Sequence, residues 1–277
     1  MGLDASVACN CYRDGLTTEP PIDRSLIEIR PTGEVELADH HIGDWSAFND
    51  WHEAACEHPY MELVAERVGN IATVAWFRAM AGHLDRSRFG RIGALIASLS
   101  GLMDSSTPAV DIEAALPELM ELLTENRLGT SRMVRGLGGV VVDFDLDWGP
   151  VDYDRLAPIR GFHGSHPPRD EKVRVGVQGY EFVITSWGDE HSELLRARWL
   201  RQNWDDPAGS MVTFANDETS ESIRVRSRGI VTDADKRPAL LFVSERAVMV
   251  AEFRWMLATL KTLFEASIAS GNSVAWH

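Results

Sequence analysis

Cys9-Asn10-Cys11 and Cys56-Glu57-His58 contain all three cysteines of the chain, and in each pair the second sulfur or imidazole donor stands two positions from the first. Three thiols and one imidazole are the donor set of a closed, tetrahedral Cys3His zinc site. In a flat strand, residues two apart point to the same side about 6.5–7 Å from each other. Two thiolates on one zinc must come closer, so the chain needs a turn or bulge at Asn10, a residue that tolerates one. Cys56 and His58 precede Pro59, where a helix should end and irregular backbone can fold two donors inward. One residue between cysteines is fewer than the usual two or more, and the same residues also read as packed reduced thiols or as a redox or catalytic thiol pair. With all four donors on the ion, the site is structural. A catalytic site would replace one of them by water, with His52, His40 or His41 as alternates.

A second group is acidic. Asp143, Asp145 and Asp147 follow three valines, with Gly149, Asp152 and Asp154 beyond. Alternate aspartates suit a calcium loop, but the glycine comes one place late and Asp154 stands where glutamate is expected. The Asp-x-Asp also resembles the strand end of haloacid-dehalogenase-like phosphatases, which would make Asp143 a nucleophile and Asp145 an acid/base, though the Thr or Val that follows in that pattern is missing. The plainest alternative is a strand with an acidic outer face and Val142, Phe144, Leu146 and Trp148 inward. His163 and His166 lie in a proline-rich loop with no partner fixed by spacing. Trp204-Asp205-Asp206 has the composition of a partner-binding anchor, although most tryptophans of such a chain belong in the core.

These side chains need elements to hold them. Leu3 to Ala8 alternates as a strand. Leu26, Ile27 and Ile29 lead through Pro31-Thr32-Gly33 into Val35 and Leu37, the pattern of a hairpin. From Asp44 the period becomes helical, with Trp45, Phe48, Trp51 and Ala55 on one face and an expected end at His58. Gly69-Asn70 reads as a stop and an N-cap, opening a helix through Ile71, Val74, Phe77 and Ala81. Ile92 to Leu102 forms a third helix, and Leu116-Pro117 opens a fourth through Leu119, Leu122 and Leu123. Residues 44–136 therefore read as a helical block. After Gly138-Gly139 the pattern returns to β: Val140 to Trp148, a hairpin with Gln178-Gly179 at its turn, strands near 210–215 and 222–231, and an apolar run at 239–243. Glu190 to Asn203 reads as helix, and Glu245 to Ser267 as a long amphipathic helix. Without a regular βαβ alternation this is an α+β fold, an N-terminal hairpin and helical block followed by a mainly antiparallel sheet and a long C-terminal helix. The change of period near 138 suggests domains 1–138 and 139–277, or one integrated domain if the last helix packs back on the first block.

The chain has 277 residues, 42 acidic against 27 basic, a net charge of −15 and 44% hydrophobic residues. That composition belongs to a folded chain and not to a disordered tail. The charge disfavours nucleic acid and anionic membranes and favours a basic protein partner. The uncharged run from Ile92 to Met103 falls short of the ~20 residues that span a bilayer. Asp4 and Arg13 interrupt any signal-peptide core, and Met1-Gly2 with Ser6 matches an acylation pattern that no basic patch supports. An odd cysteine count argues against a secreted disulfide framework, so a cytoplasmic location with reduced thiols is expected.

The segments MGLDASVACNCYRDG and WHEAACEHPYMELVAERVGNIA resemble a family of poorly characterised bacterial proteins that share an N-terminal Cys-x-Cys and a downstream Cys-x-His followed by Gly-Asn. The resemblance covers about the first 80 residues and implies Cys9, Cys11, Cys56, His58, Gly69 and Asn70 as shared positions; it brings no activity with it. Two functional expectations follow from the residues. One is an acidic interaction protein, of which an immunity-type inhibitor of a basic toxin is an example, with structural zinc on Cys9, Cys11, Cys56 and His58. The other is a metal-dependent hydrolase that uses the Cys/His donors with Asp143 or Asp145 nearby.

Overall fold

The computed structural model describes residues 2–38, 45–99, 105–137, 144–145, 173–187, 192–204, 211–226 and 240–277. In chain order the elements are β1 (Gly2–Ala8), β2 (Ile27–Ile29), β3 (Val35–Leu37), α1 (Trp45–Ala54), β4 (Glu62–Asn70), α2 (Ile71–Ala81), α3 (Gly90–Ser98), β5 (Ser105–Thr107) and α4 (Ala109–Leu122). They continue with β6 (Arg127–Leu137), β7 (Phe144–Asp145), β8 (Val173–Gln178), β9 (Glu181–Trp187), β10 (Ser192–Ala197), β11 (Trp199–Trp204), β12 (Met211–Asn216), β13 (Ser222–Arg226) and β14 (Leu240–Met249). A 3-10 turn at Val250–Phe253, α5 (Arg254–Ser270) and β15 (Val274–Trp276) close the chain. The fold is α+β with antiparallel sheets and a long C-terminal helix, as the sequence pattern indicates. It divides into one unit of Met1–Gly129 with Val248–His277 and another of Thr130–Ala247.

In the first unit, β1 lies inside a four-stranded antiparallel sheet ordered β4-β1-β15-β5. Leu3, Ala5 and Val7 alternate on the strand and enter the main core with Phe77 of α2, Ile92 and Ile96 of α3, Leu119 of α4 and Leu260 and Phe264 of α5. Burying each such side chain is worth about 1.5–3 kcal/mol relative to exposure. Trp276 is fully buried and donates from its indole nitrogen to Thr107 Oγ1 at 2.9 Å, which fixes the narrow end of the sheet. Asn70 caps α2 as its spacing predicts, accepting from the Thr73 backbone N–H at 2.8 Å. α5 ends on Gly271 at φ 73°, a left-handed stop.

In the second unit, β13-β12-β11-β14-β6-β7 form one sheet and β10-β9-β8 another. Phe182, Ile184, Leu195, Leu200, Phe214 and Leu241 supply its buried side chains. Asn216 closes the turn from β12 to β13, accepting from the backbone N–H groups of Glu218 and Thr219 while donating to the Arg196 carbonyl.

Several elements differ from the sequence reading. The stretch 44–136 is not all helical: β4 pairs along its length with β1, and β6 begins at Arg127. Glu190 to Asn203 is not a helix where it is described but β10 and β11. Leu195 and Ala197 are buried while Leu194 and Arg196 are exposed, then Leu200 and Gln202 are buried between exposed Trp199, Arg201 and Asn203. The phase slips at Arg198, and that slip turns two period-2 runs into an apparent helical spacing. α1 stops at Ala54, four residues before His58. α4 starts at Ala109 after Pro108 and runs through Pro117; Pro117 is exposed, so the hydrogen bond it cannot donate lies on the solvent side. Glu245 to Met249 belongs to β14, and α5 begins only at Arg254. The β8–β9 turn is Gly179-Tyr180, one place later than read, with Gly179 at φ 58°.

The hairpin of β2 and β3 turns through Gly33, whose φ of 95° suits glycine alone. A methyl group there would overlap the side-chain amide of Asn272, which is 3% exposed. Gly15 also has a positive φ, 69°, but opens onto free space. Gly33→Ala should therefore cost at least about 2 kcal/mol, strain plus overpacking, whereas Gly15→Ala should cost about 1 kcal/mol. Denaturant midpoints of the two variants check this, and equal losses would refute the contact.

Candidate metal centre

Cys9 and Cys11 follow the last residue of β1. The pairing of β1 with β4 shifts register between Val7 and Ala8, and the chain then bends at Asn10 into a turn closed by Asp14 N–H to Asn10 O (2.9 Å) and Leu16 N–H to Cys11 O (2.8 Å). The break at Asn10 is the one the Cys-x-Cys spacing demands. Asn10 is held from three directions: Nδ2 donates to Ser270 O (2.8 Å), while Oδ1 accepts from Arg13 Nη1 (3.2 Å) and Asn272 Nδ2 (3.0 Å). Asn272 also donates to Ala8 O at 2.7 Å. The end of α5 therefore grips the residue between the two thiols.

Cys56 and His58 lie between α1 and β4. Pro59 leads into Tyr60 and Met61, both at φ 53°, a left-handed pair without glycine. Such residues cost about 1–3 kcal/mol each and persist only where their surroundings hold them. Here Met61 is buried to 2% exposure, and its carbonyl accepts from the Cys9 backbone N–H at 2.8 Å. A further bond from Thr18 N–H to Ala55 O (2.8 Å) joins the loop after the first pair to the end of α1. Around them sits a small core of Ile27, Val35, Phe48, Trp51, Ala55 and Met61 with the first two cysteines. Trp51 meets Tyr12 edge-on at 5.9 Å and donates to Thr18.

The four donor atoms of Cys9, Cys11, Cys56 and His58 all lie within 4.8 Å of one another. Cys9 Sγ is 3.8 Å from Cys56 Sγ, and Nδ1 of His58 is 3.3 Å from Cys11 Sγ and 4.0 Å from Cys56 Sγ. With Zn–S near 2.3 Å and Zn–N near 2.0–2.1 Å, a tetrahedron places two sulfurs about 3.8 Å apart and sulfur and nitrogen about 3.5 Å apart. These three separations match that shape to within about half an ångström. All three cysteines are free. Cys9 and Cys11 are buried, whereas Cys56 and His58 are partly exposed.

Burial pushes the Cys9 thiol up and the Cys11 thiol up to about 12, with the Cys9 and Cys56 sulfurs adding to the rise at Cys11. Packed together without a cation, these thiols are protonated at neutral pH, the opposite of an activated nucleophile. A divalent ion would supply the missing positive charge and turn them into thiolate ligands.

Among the described residues, the others singled out in the sequence do not join this cluster. His52 stacks on Phe48 at 5.4 Å, and burial holds its imidazole below the usual histidine range. Asp145 lies in β7 opposite Met133. His40, His41, Asp143, Asp147, Asp152, Asp154, His163 and His166 lie outside the described residues. Trp199 stacks on Phe242 at 4.7 Å. Sequence reasoning missed Asn272, Ser270 and Met61, the groups that aim the donors. Asn272 is 262 positions from Asn10, and no local pattern signals it. No protein-family model, curated protein or solved structure matches the chain, so the four-residue cluster stands on its geometry alone.

Two consequences follow from the raised thiols. Zinc added to metal-free protein at pH 7 should release at least two protons, one each from Cys9 and Cys11, measured as base needed to hold the pH. A folded-state pKa above the unfolded one stabilises the protein while the group is protonated, and that stability is lost as pH rises through the folded value. Melting of the metal-free protein should therefore fall as pH climbs from 9.0 toward about 12, and zinc should remove most of the decline. Zinc binding without proton release would exclude the thiols as ligands.

Proposed function

We propose that the protein is a zinc-stapled α+β binding protein, with one structural zinc held by Cys9, Cys11, Cys56 and His58. The observation that carries this reading is the mutual approach of the four donor atoms to within 4.8 Å. Four protein ligands complete a tetrahedral shell and leave no open position for water or substrate, which favours a structural over a catalytic ion. The small core beside the cluster has only eight buried apolar residues, and a core of that size gains from a cross-link between distant segments.

Net charge supports the partner side of the reading. At −15 the chain attracts basic proteins and repels polyanions, which suits an inhibitor of a basic protein, including the immunity type. Among the described residues, no helix is long and apolar enough to cross a membrane. The hydrolase alternative lacks a supporting observation among the described residues: four protein donors would fill a tetrahedral shell, and Asp143 lies outside the described residues.

Purified protein should carry about one zinc per chain by elemental analysis, retained through dialysis. Stripping it with a strong chelator should lower the unfolding free energy by about 4 kcal/mol relative to protein in free zinc at 1,000 times the dissociation constant. Cys9→Ser and His58→Ala should each lose the metal and show the same lowered stability. Metal-free protein that takes up no zinc on reconstitution and melts at the same temperature as untreated protein would overturn the proposal.

A further inference from the structure

β1 sends Leu3, Ala5 and Val7 into the main core, and Ser6 and Ala8 into a cavity of about 480 Å³. The β2–β3 hairpin, α1 and the turn from His58 into β4 wall this cavity, all within one unit. Its size is that of a small-ligand pocket.

Two kinds of group line it. Aromatic rings come from Trp45, Phe48 and Tyr60. Trp45 is 56% exposed and Tyr60 45% exposed, so both keep ring surface free beside the cavity. Tyr60 is held there by the left-handed backbone after Pro59, a strained conformation of the kind that gathers at binding sites. Carboxylates come from Glu34, Glu36 and Glu62. Arg30, the one guanidinium among the described lining residues, pairs with Glu36. Among the described residues Glu34 accepts from the Thr32 hydroxyl at 2.7 Å and its charge also acts on the His52 imidazole, while no salt bridge reaches Glu34 or Glu62. Burial holds the His52 imidazole below the usual histidine range and so favours its neutral form, with the Glu34 carboxylate opposing that shift more weakly.

Rings with free faces beside two uncompensated carboxylates select one chemistry. An anion would be repelled by both glutamates. A neutral apolar molecule would strip water from them without replacing it. An organic cation satisfies both sets, its charge facing the carboxylates and its alkyl or planar surface against indole and phenol. We propose that this cavity binds an alkylammonium or guanidinium group, with Trp45 and Tyr60 as its aromatic wall and Glu34 and Glu62 as its counter-ions. The site deepens the basic-partner reading, and it is independent of whether zinc is bound.

Titration calorimetry on the full chain tests this with tetramethylammonium, arginine amide, a short arginine peptide, and 3,3-dimethylbutanol as the uncharged counterpart. The cations should bind in the millimolar range or tighter, and the alcohol at least about tenfold more weakly. Trp45→Ala should weaken cation binding about 3- to 30-fold. Glu34→Gln and Glu62→Gln, near-isosteric changes, should each weaken it about 3- to 10-fold and leave the alcohol unaffected. Zinc content, measured on the same samples, should be unchanged in all three variants, so a metal-free preparation that still binds cations separates the two proposals. A peptide that binds tenfold more tightly than arginine amide identifies a protein side chain as the occupant; equal binding identifies a free cation. Absence of heat with every cation at about 50 mM, equal binding of the alcohol, or wild-type affinity in the Glu34→Gln, Glu62→Gln double variant would overturn the proposal.

Discussion

The backbone bond from Cys9 N–H to Met61 O, at 2.8 Å, is the contact on which the small lobe of the first unit depends. It seats the loop after β1 against the turn before β4, and in doing so brings Cys9 Sγ to 3.8 Å from Cys56 Sγ. The same contact keeps Met61 in a left-handed conformation that methionine avoids when free. A zinc ion on these four donors would reinforce an interaction that the backbone already makes.

Two cores of unequal size meet at Leu63 of β4, which packs against both. The larger one, between the inner face of the sheet and α2 to α5, contains most of the fully buried side chains of the unit and needs no further support. The smaller one holds eight and is built from a hairpin of two three-residue strands, a ten-residue helix and two loops. Burial in the second set offsets little of the chain entropy spent in ordering its loops. That imbalance explains why polar ties concentrate there: Asn10, Asn272, Arg13 and Ser270 form one network at the point where the chain leaves β1. It also explains how a cavity survives beside the lobe, since a sparse core leaves space that a close-packed one would fill.

Much of the architecture was legible from residue pattern. The alternation of β1, the Pro-Thr-Gly hairpin, the Asn70 cap and the amphipathic face of α5 are local signals, and each is found in the fold. The errors also have local causes. β10 and β11 abut with a one-residue phase slip, so two alternating runs mimic a helical period. β4 was absorbed into the helical block because its burial is uneven along the strand, and only its pairing with β1 decides its state. Pro117 was read as a helix start because proline favours the first turn, yet an exposed interior site accepts it.

The sequence by itself determined which donors exist and that they come in two close pairs, because cysteine is rare in this chain and its chemistry does not depend on context. It also determined the chain's own net charge of −15, a property of composition. Only the tertiary structure decided that the two pairs converge, since convergence rests on bonds between segments up to 264 positions apart that have no counterpart in local spacing. The charge balance of the cavity is likewise a matter of the fold: among the described residues Arg30 pairs with Glu36 and no salt bridge reaches Glu34 or Glu62, a distinction made by distance in space and not by order along the chain.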